Sequence, residues 1–123
     1  MQAPVLYIVV PCYNEEAVLP ETGRRLHAVL EGLKGGGRVS PRSRITFVDD
    51  GSKDGTWPAI LELTRGNPSI EGIKLAHNVG HQRALWAGMS RVRERCDCLI
   101  TIDADLQDDV EAIGRFVEQY QEG

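Results

Sequence analysis

Short apolar segments alternate with helix-like segments four times along the chain. The first, Val5–Val10, is a continuous run of β-favouring residues without polar alternation, which is typical of a strand buried on both faces. Strand and helix in strict alternation favour parallel strands joined by right-handed crossovers. We therefore predict one α/β domain with a Rossmann-like parallel sheet of about four strands in β-α repeats. The other three predicted strands are Arg44–Val48, Ile70–Leu75 and Cys98–Ile102.

Each predicted strand is followed by a segment with helical signals. Pro20 marks the start of the first helix, and the triplet Gly35–Gly37 ends it. Pro11 is expected to close the first strand, which leaves 12–18 as a loop. The apolar positions predicted for the four helices are Leu19, Leu26, Leu30 and Leu33; Trp57, Ile60 and Leu61; Leu85, Met89 and Val92; and Val110, Ile113, Val117 and Tyr120.

Composition excludes several classes of protein. The 123 residues contain no apolar run near the ~20 residues that a membrane span needs. The first basic residue is Arg24, unlike a secretory signal, so we expect a cytoplasmic chain. The chain has three cysteines, Cys12, Cys96 and Cys98, an odd number without the spacing of zinc ligands. We therefore expect neither a disulfide scaffold nor a zinc ribbon. The formal net charge of -4 argues against nucleic acid as a partner.

The chemically distinctive residues all follow predicted strands. In open parallel sheets, ligands bind outside the carboxyl ends of the strands, so these segments are expected to meet at one edge. We therefore expect a ligand site there. The four segments are Tyr13-Asn14-Glu15-Glu16, Asp49-Asp50, the stretch from Asn78 to Arg83, and Asp103-Ala104-Asp105.

A divalent-cation site is predicted after the fourth strand. Asp103 and Asp105 are two residues apart, and an extended backbone would direct both carboxylates to one face. Adjacent carboxylates repel unless a cation neutralises them, and Mg²⁺ or Mn²⁺ is commonly held by one or two carboxylates with substrate phosphates. Gln107 adds a neutral oxygen. The alternative is that this segment caps the last helix, which would explain Asp108 or Asp109 but not Asp103.

Two other segments have both a structural and a functional interpretation. Asp49-Asp50-Gly51-Ser52 has the residues of a turn, but Asp50 could also accept hydrogen bonds from a base or ribose. Asn14-Glu15-Glu16 is a weaker signal, because polar residues are common in loops. Arg83 lies one turn inside the third predicted helix, where its side chain could meet a pyrophosphate. No metal site formed by histidines is expected.

Four motifs, in order and at matching spacing, carry a resemblance to a known family. They are residues 8–16 (IVVPCYNEE), 48–56 (VDDGSKDGT), 78–85 (NVGHQRAL) and 102–108 (IDADLQD). The chain resembles a family 2 glycosyltransferase of the GT-A fold. The last motif is most similar to the subgroup that includes dolichol-phosphate mannosyltransferase and bacterial polyprenyl-phosphate glucosyltransferases.

The resemblance implies roles for particular residues. Pro11, Tyr13 and Glu15 would shape the nucleotide pocket, Asp50 would contact the base, and Asp103 would face ribose and metal. The metal ligands would be Asp103, Asp105 and Gln107, with Mn²⁺ or Mg²⁺ as cofactor and Asp105 as the catalytic residue. The expected nucleotide-binding residues are thus Pro11, Tyr13, Asn14, Glu15, Asp50, Arg83 and Asp103.

The implied activity is metal-dependent transfer of a sugar from a UDP- or GDP-sugar with inversion, with polyprenyl phosphate as the candidate acceptor. The family continues past the fourth unit with acceptor-binding elements, whereas this sequence stops at Gly123. Residues 1–123 are therefore expected to be the nucleotide-sugar-binding half, and a full-length form is a candidate for membrane association. The alternative is a non-catalytic nucleotide-diphosphate-binding or assembly module.

The fourth predicted strand also bears on self-association. In a sheet ordered three-two-one-four, Cys98–Ile102 lies at an edge and carries neither charge nor proline, the usual protection of natural edges. We therefore expect self-association, as a dimer through that edge, and no sugar transfer to polyprenyl phosphate by the isolated chain.

Overall fold

Strands and helices alternate along the chain as the sequence predicts. The computed structural model describes residues 3–105, 110 and 112–122. None of the helices in these ranges has the length and apolar character needed to cross a membrane. The elements are β1 (Leu6–Cys12), α1 (Leu19–Gly35), β2 (Arg44–Asp49), α2 (Thr56–Thr64), β3 (Ile70–Lys74), α3 (His81–Val92), a short 3₁₀ turn (Arg93–Arg95), β4 (Cys98–Thr101) and α4 (Ala112–Glu122).

The four strands form a parallel sheet in the order β3-β2-β1-β4. This confirms the predicted α/β class and strand order. All seven residues of β1 are buried, as expected for a central strand. The carboxyl ends of the strands therefore share one edge, called here the carboxyl edge.

Pro11 does not close β1, contrary to the prediction, because the strand continues to Cys12. The pairing with β2 runs on through Pro11 and Cys12, and the carbonyl of Cys12 accepts the backbone N–H of Asp50 at 2.8 Å. The pairing between β1 and β4 ends at Val9. A proline is tolerated beyond that point, since its missing N–H removes no ladder hydrogen bond to β4.

Two hydrophobic layers cover the sheet. The larger layer contains residues of α1, α2 and α4, and the smaller one lies under α3. Side chains of β1 alternate between them, with Ile8 and Val10 in the larger layer and Val9 in the smaller. The predicted apolar face of α1 is confirmed: its four leucines, Leu19, Leu26, Leu30 and Leu33, are all buried.

The predicted apolar faces of the other helices need correction. Leu61 and Tyr120 were expected to face the core, but each is 45% exposed. Val110 is buried but precedes α4. On α3 the buried residues are Ala84, Gly88 and Val92, while Leu85 and Met89 are only half-buried.

Small residues on α3 bring this helix close to the sheet. A Cβ at Gly88 would lie 2.7 Å from Cγ2 of Val48 and 2.8 Å from Cγ1 of Val9. That close approach rotates the larger side chains of α3 away from the centre of the interface. The beginning of α3 lies at the carboxyl edge because this helix follows the end of β3.

Candidate functional site

A cavity of about 480 Å³ lies at the carboxyl edge. It draws residues from the ends of β1, β2 and β4 and from the beginning of α3, as expected for a sheet of this kind. Six of the predicted site residues, Pro11, Tyr13, Glu15, Asp50, Asp103 and Asp105, are brought together here. The full lining is Pro11, Cys12, Tyr13, Glu15, Asp50, Asn78, Gly80, His81, Ala84, Asp103, Ala104 and Asp105.

The loop after β1 is attached to the turn after β2 by side-chain to backbone hydrogen bonds. The backbone N–H of Asn14 donates to Oγ of Ser52 at 2.9 Å, and the N–H of Lys53 donates to Oδ1 of Asn14 at 2.9 Å. The N–H of Glu15 donates to Oγ1 of Thr56 at 2.8 Å. These bonds hold Glu15 at the cavity wall. Asn14 itself, with φ of 53°, is not among the described lining residues.

Both aspartates after β2 are buried and hydrogen-bonded. Asp49 is 1% exposed, and its Oδ1 accepts the backbone N–H of Ser52 at 3.0 Å, which is turn chemistry. Asp50 is 3% exposed; its Oδ1 accepts the N–H of Val79 at 2.8 Å and its Oδ2 accepts Nδ2 of Asn78 at 3.1 Å. The segment therefore forms a turn while Asp50 also lines the cavity, so both interpretations of the sequence retain support.

Gly51 allows the turn after β2 to meet the loop after β3. Its φ is +66°, and a Cβ there would lie 2.3 Å from the backbone nitrogen of Asn78 and 2.4 Å from the carbonyl carbon of His77. Only glycine fits this approach without movement of backbone. The two segments thus form one continuous wall of the cavity.

Asp103 and Asp105 share the cavity for a different reason from the one predicted. β4 ends at Thr101, so both aspartates follow the strand, and Ala104 and Asp105 lie in a turn. The buried Oγ1 of Thr22, on α1, donates to the carbonyl of Ala104 between them at 2.5 Å. A hydrogen bond from a neighbouring helix therefore holds the turn in place.

Thr22 was missed by the sequence reasoning, although a signal exists. It lies three residues after Leu19 and four before Leu26, on the buried face of α1. A hydroxyl on an apolar helix face needs a partner, because burying it unpaired is costly. The sequence does not show which partner it has.

His81, which belongs to the predicted stretch from Asn78 to Arg83, is exposed and lines the cavity. It is the first residue of α3, and its Nε2 lies 3.8 Å from Oδ1 of Asp103. Arg83 is exposed and is not among the described lining residues, so the structure does not bring it to the other site residues. Its contact with pyrophosphate remains a prediction.

The carboxylates influence one another electrostatically. Desolvation by partial burial raises the pKa of Glu15 above its ordinary value, and the negative charges of Asp105, Asp54 and Asp103 raise it further. Burial likewise raises the pKa of the Cys12 thiol, with smaller effects from Glu15 and Asp49. Cys12 is therefore a neutral thiol at physiological pH and no nucleophile.

The described residues fit a hard cation held partly by its substrate. Residues 3–105, 110 and 112–122 contain no group of three or more His, Cys, Asp or Glu side chains that could together hold an ion. Mg²⁺ and Mn²⁺ sites on phosphate substrates commonly use only one or two carboxylates, which Asp103 and Asp105 can supply. The predicted ligand Gln107 and the predicted caps Asp108 and Asp109 lie outside the described residues.

The four-stranded parallel sheet in β-α repeats matches that of GT-A glycosyltransferases. The sequence profile described as Glycosyl transferase family 2 matches residues 7–123. The chain therefore belongs to glycosyl transferase family 2, which confirms the family predicted from the four motifs. The resemblance to the dolichol-phosphate mannosyltransferase subgroup remains a prediction.

Two related proteins come from Bacillus subtilis (strain 168). The chain is 51% identical over 120 residues to the uncharacterized glycosyltransferase YkoT, covering 98% of this chain and 36% of that protein. It is 39% identical over 116 residues to the uncharacterized glycosyltransferase YkcC, covering 94% and 33%. The chain thus spans about a third of the length of these relatives.

Two solved structures resemble the fold at low sequence identity. The mannosyltransferase PcManGT from Pyrobaculum calidifontis, in complex with GDP-Man and Mn²⁺, superposes with a TM-score of 0.69 at 20% identity. TarS 1-349 of S. aureus, in complex with UDP, superposes with a TM-score of 0.60 at 19% identity. The alignments cover 96% and 95% of this chain, and 32% and 33% of those chains.

Proposed function

We propose that this chain binds the nucleoside diphosphate of a UDP- or GDP-sugar in the cavity at the carboxyl edge, as the donor-binding part of an inverting glycosyltransferase. One observation carries the proposal: Asp103, Asp105 and Glu15 line a single open cavity in a family 2 chain. Support comes from two proteins of the same fold, whose structures contain GDP-Man with Mn²⁺ and UDP, respectively.

The nucleotide has a wall of suitable chemistry beside the carboxylates. Tyr13 is 41% exposed and offers an aromatic face next to Pro11. Aromatic faces stack on nucleobases without strong preference among them. We therefore assign Pro11, Tyr13 and Glu15 to the nucleotide wall and Asp103 to the ribose side.

Asp103 and Asp105 would hold Mn²⁺ or Mg²⁺ together with the diphosphate, with Gln107 as a further proposed ligand. When bound, such a cation neutralises negative charge on the departing diphosphate. The role of this chain is then to place the two carboxylates beside the diphosphate. Asp105 acts in catalysis through that placement.

The proposed reaction is an in-line displacement at the anomeric carbon. The acceptor oxygen forms a bond to this carbon while the bond to the diphosphate oxygen breaks, and its electron pair leaves with the nucleoside diphosphate. The sugar is inverted. Polyprenyl phosphate is the proposed acceptor, because an ionised phosphate needs little help from a general base.

Calorimetry tests the donor site. We expect UDP or GDP to bind with Mn²⁺ or Mg²⁺, and to bind much more weakly with EDTA. Asp105→Asn should weaken the metal-dependent part of binding by about tenfold, since it removes one charged ligand. Glu62→Gln, on the exposed face of α2, is the matched control. Equal binding of wild type with and without EDTA would refute the role of Asp105.

We also propose that β4 is a surface for self-association. Among the described residues, β4 pairs with β1 alone, and Cys98–Thr101 carries no charge. Replacing the exposed Thr101 by lysine should prevent edge pairing, whereas Thr64→Lys, on α2, should not. Light scattering that shows a strict monomer at high concentration of wild type would refute this proposal.

A further inference from the structure

The turn after β4 packs against α1. Ala104, which separates its two aspartates, is 3% exposed and belongs to the same hydrophobic layer as Leu19 and Leu26 of α1. Thr22 lies between those two leucines in the sequence and is also buried. Its hydroxyl donates a hydrogen bond to the carbonyl of Ala104 at 2.5 Å. A buried hydroxyl needs a partner, and here the partner is the backbone between the two aspartates.

The beginning of α1 is attached to another part of the cavity wall. The carbonyl of Glu15, a lining residue, accepts the backbone N–H groups of Val18 and Leu19, each at 3.1 Å. The N–H of Glu15 is held in turn by Oγ1 of Thr56 at 2.8 Å. One helical turn further on, the N–H of Thr22 donates to the carbonyl of Val18 at 2.9 Å. The beginning of α1 therefore connects the wall at Glu15 to the turn after β4.

The turn after β4 combines exposed side chains with a buried support. Asp103 and Asp105 are both exposed, although Ala104 between them is buried. Side chains on a mobile backbone lose conformational freedom when they bind an ion, and this loss weakens binding. A backbone that is fixed before the ion arrives reduces the loss, as do the groups that orient metal ligands in other proteins. The hydroxyl of Thr22 supplies such a fixed point between the two carboxylates.

We propose that Thr22 is a positioning residue of the donor site. Its hydroxyl fixes the backbone between Asp103 and Asp105 relative to the wall at Glu15, and thereby strengthens binding of a divalent cation together with the nucleoside diphosphate. This inference rests on the proposed function for its ligand, but its geometry involves the protein alone. The role belongs to the hydroxyl and not to the methyl group of the threonine, which distinguishes positioning from packing.

Two substitutions of Thr22 separate the hydroxyl from the methyl group. Thr22→Val keeps the shape and removes the hydroxyl, whereas Thr22→Ser keeps the hydroxyl and removes the methyl group. Both should unfold at a lower urea concentration than wild type, because each alters a buried side chain. Only Thr22→Val should weaken binding of UDP or GDP with Mn²⁺, by about fivefold in calorimetry. With EDTA, the same substitution should change affinity by less than about twofold.

Thr46→Val is the matched control for loss of a buried hydroxyl. Thr46 lies within β2, is fully buried, and donates to Oε1 of Glu71 at 3.0 Å. It is not among the residues that line the cavity, so its replacement should lower stability and leave nucleotide binding unchanged. An equal loss of affinity in Thr46→Val and Thr22→Val would overturn the proposal. So would a Thr22→Ser variant that binds as weakly as Thr22→Val, or a Thr22→Val variant that binds as well as wild type.

NMR spectroscopy tests the same proposal without a nucleotide. The carbonyl carbon of Ala104 and the amide nitrogen of Asp105 share the peptide group that accepts the hydrogen bond. Their signals should shift in Thr22→Val and stay close to those of wild type in Thr22→Ser and Thr46→Val. Mn²⁺ added alone should broaden the amide signals of Asp103 and Asp105 at a lower concentration in wild type than in Thr22→Val.

The outcomes distinguish the positioning role from the proposed function. Unchanged signals and unchanged Mn²⁺ broadening in Thr22→Val would refute the positioning role. Wild type that binds neither UDP nor GDP would refute the proposed function instead, and the Mn²⁺ titration would still decide the role of Thr22. If Thr22→Val does not fold, Thr22→Ala takes its place in every comparison, since it also lacks the hydroxyl.

Discussion

The carboxyl edge has two halves that present aspartates in opposite ways. After β2, Asp49 and Asp50 are buried, and each accepts hydrogen bonds from backbone N–H groups of nearby segments. After β4, Asp103 and Asp105 are exposed at the cavity wall. The same residue type at equivalent places is therefore enclosed by protein in one half and exposed in the other. The clearest contrast is between Asp50, which is 3% exposed, and Asp103, whose side chain is 59% exposed.

The largest expected effect is a loss of stability caused by a backbone change in the buried half. Gly51→Ala should destabilise the protein by more than about 3 kcal/mol, because it adds a clash with Asn78 to the cost of a positive φ. Gly66→Ala is the matched control: its φ is +63°, but nothing lies within 4 Å of the added Cβ, so about 1 kcal/mol is expected. Urea unfolding measures both. Equal losses would show that the two segments are not in firm contact.

The next effect compares the two halves directly. Asp50→Asn should cost about 2 kcal/mol of unfolding free energy, since an amide placed against Asn78 sets donor against donor. Asp103→Asn should change stability by less than about 0.5 kcal/mol, because this carboxylate is exposed. Chemical denaturation of both variants would check the difference. A larger loss for Asp103→Asn would contradict the assignment of the two halves.

A smaller effect is expected from the hydrogen bond between Thr22 and Ala104, which holds the turn in the exposed half. Thr22→Val keeps the shape of the side chain but removes its hydrogen bond to Ala104, so we expect a loss of about 1 kcal/mol and weaker nucleotide binding. In the control, Thr64→Val removes a hydroxyl hydrogen bond to the carbonyl of Leu61 within α2, and it should leave nucleotide binding unchanged. Thermal unfolding and calorimetry measure the two quantities. Unaltered binding in Thr22→Val would show that the turn is held in other ways.

The smallest effect is the pH dependence of Glu15. Desolvation and then neighbouring acids raise its pKa in the folded state, so the folded chain binds this proton more tightly than the unfolded chain. Stability is therefore lost as the pH rises above the ordinary value of 4.5. We expect Glu15→Gln to have a slightly higher Tm than wild type at pH 7, with no difference below pH 4.

Glu62→Gln controls for replacing a largely exposed glutamate in that Tm comparison. A Tm of Glu15→Gln below that of wild type at pH 7 would contradict the crowding of carboxylates at the cavity. Added Mn²⁺ should reduce the gain, because a cation near Asp103 and Asp105 lessens the repulsion that raises the pKa of Glu15.

The sequence predicted most of the fold and six of the cavity residues. Continuous apolar runs and the leucine spacing of α1 depend on local periodicity, and both are confirmed. On α3, by contrast, the predicted apolar residues Leu85 and Met89 are only half-buried. The face that α3 presents to the sheet depends on how closely Gly88 approaches Val48, which no property of the helix alone reveals.

The sequence by itself determined the α/β class and the edge where the acids gather, because period, length and connection rules act along the chain. Only the tertiary structure decided which of those acids are buried. Both Asp50 and Asp103 follow the ends of their strands. Asp50 is enclosed because Gly51 lets the loop at Asn78 come close, whereas the side chain of Asp103 is 59% exposed. Burial is a property of contacts between distant segments, and periodicity within one segment does not encode it.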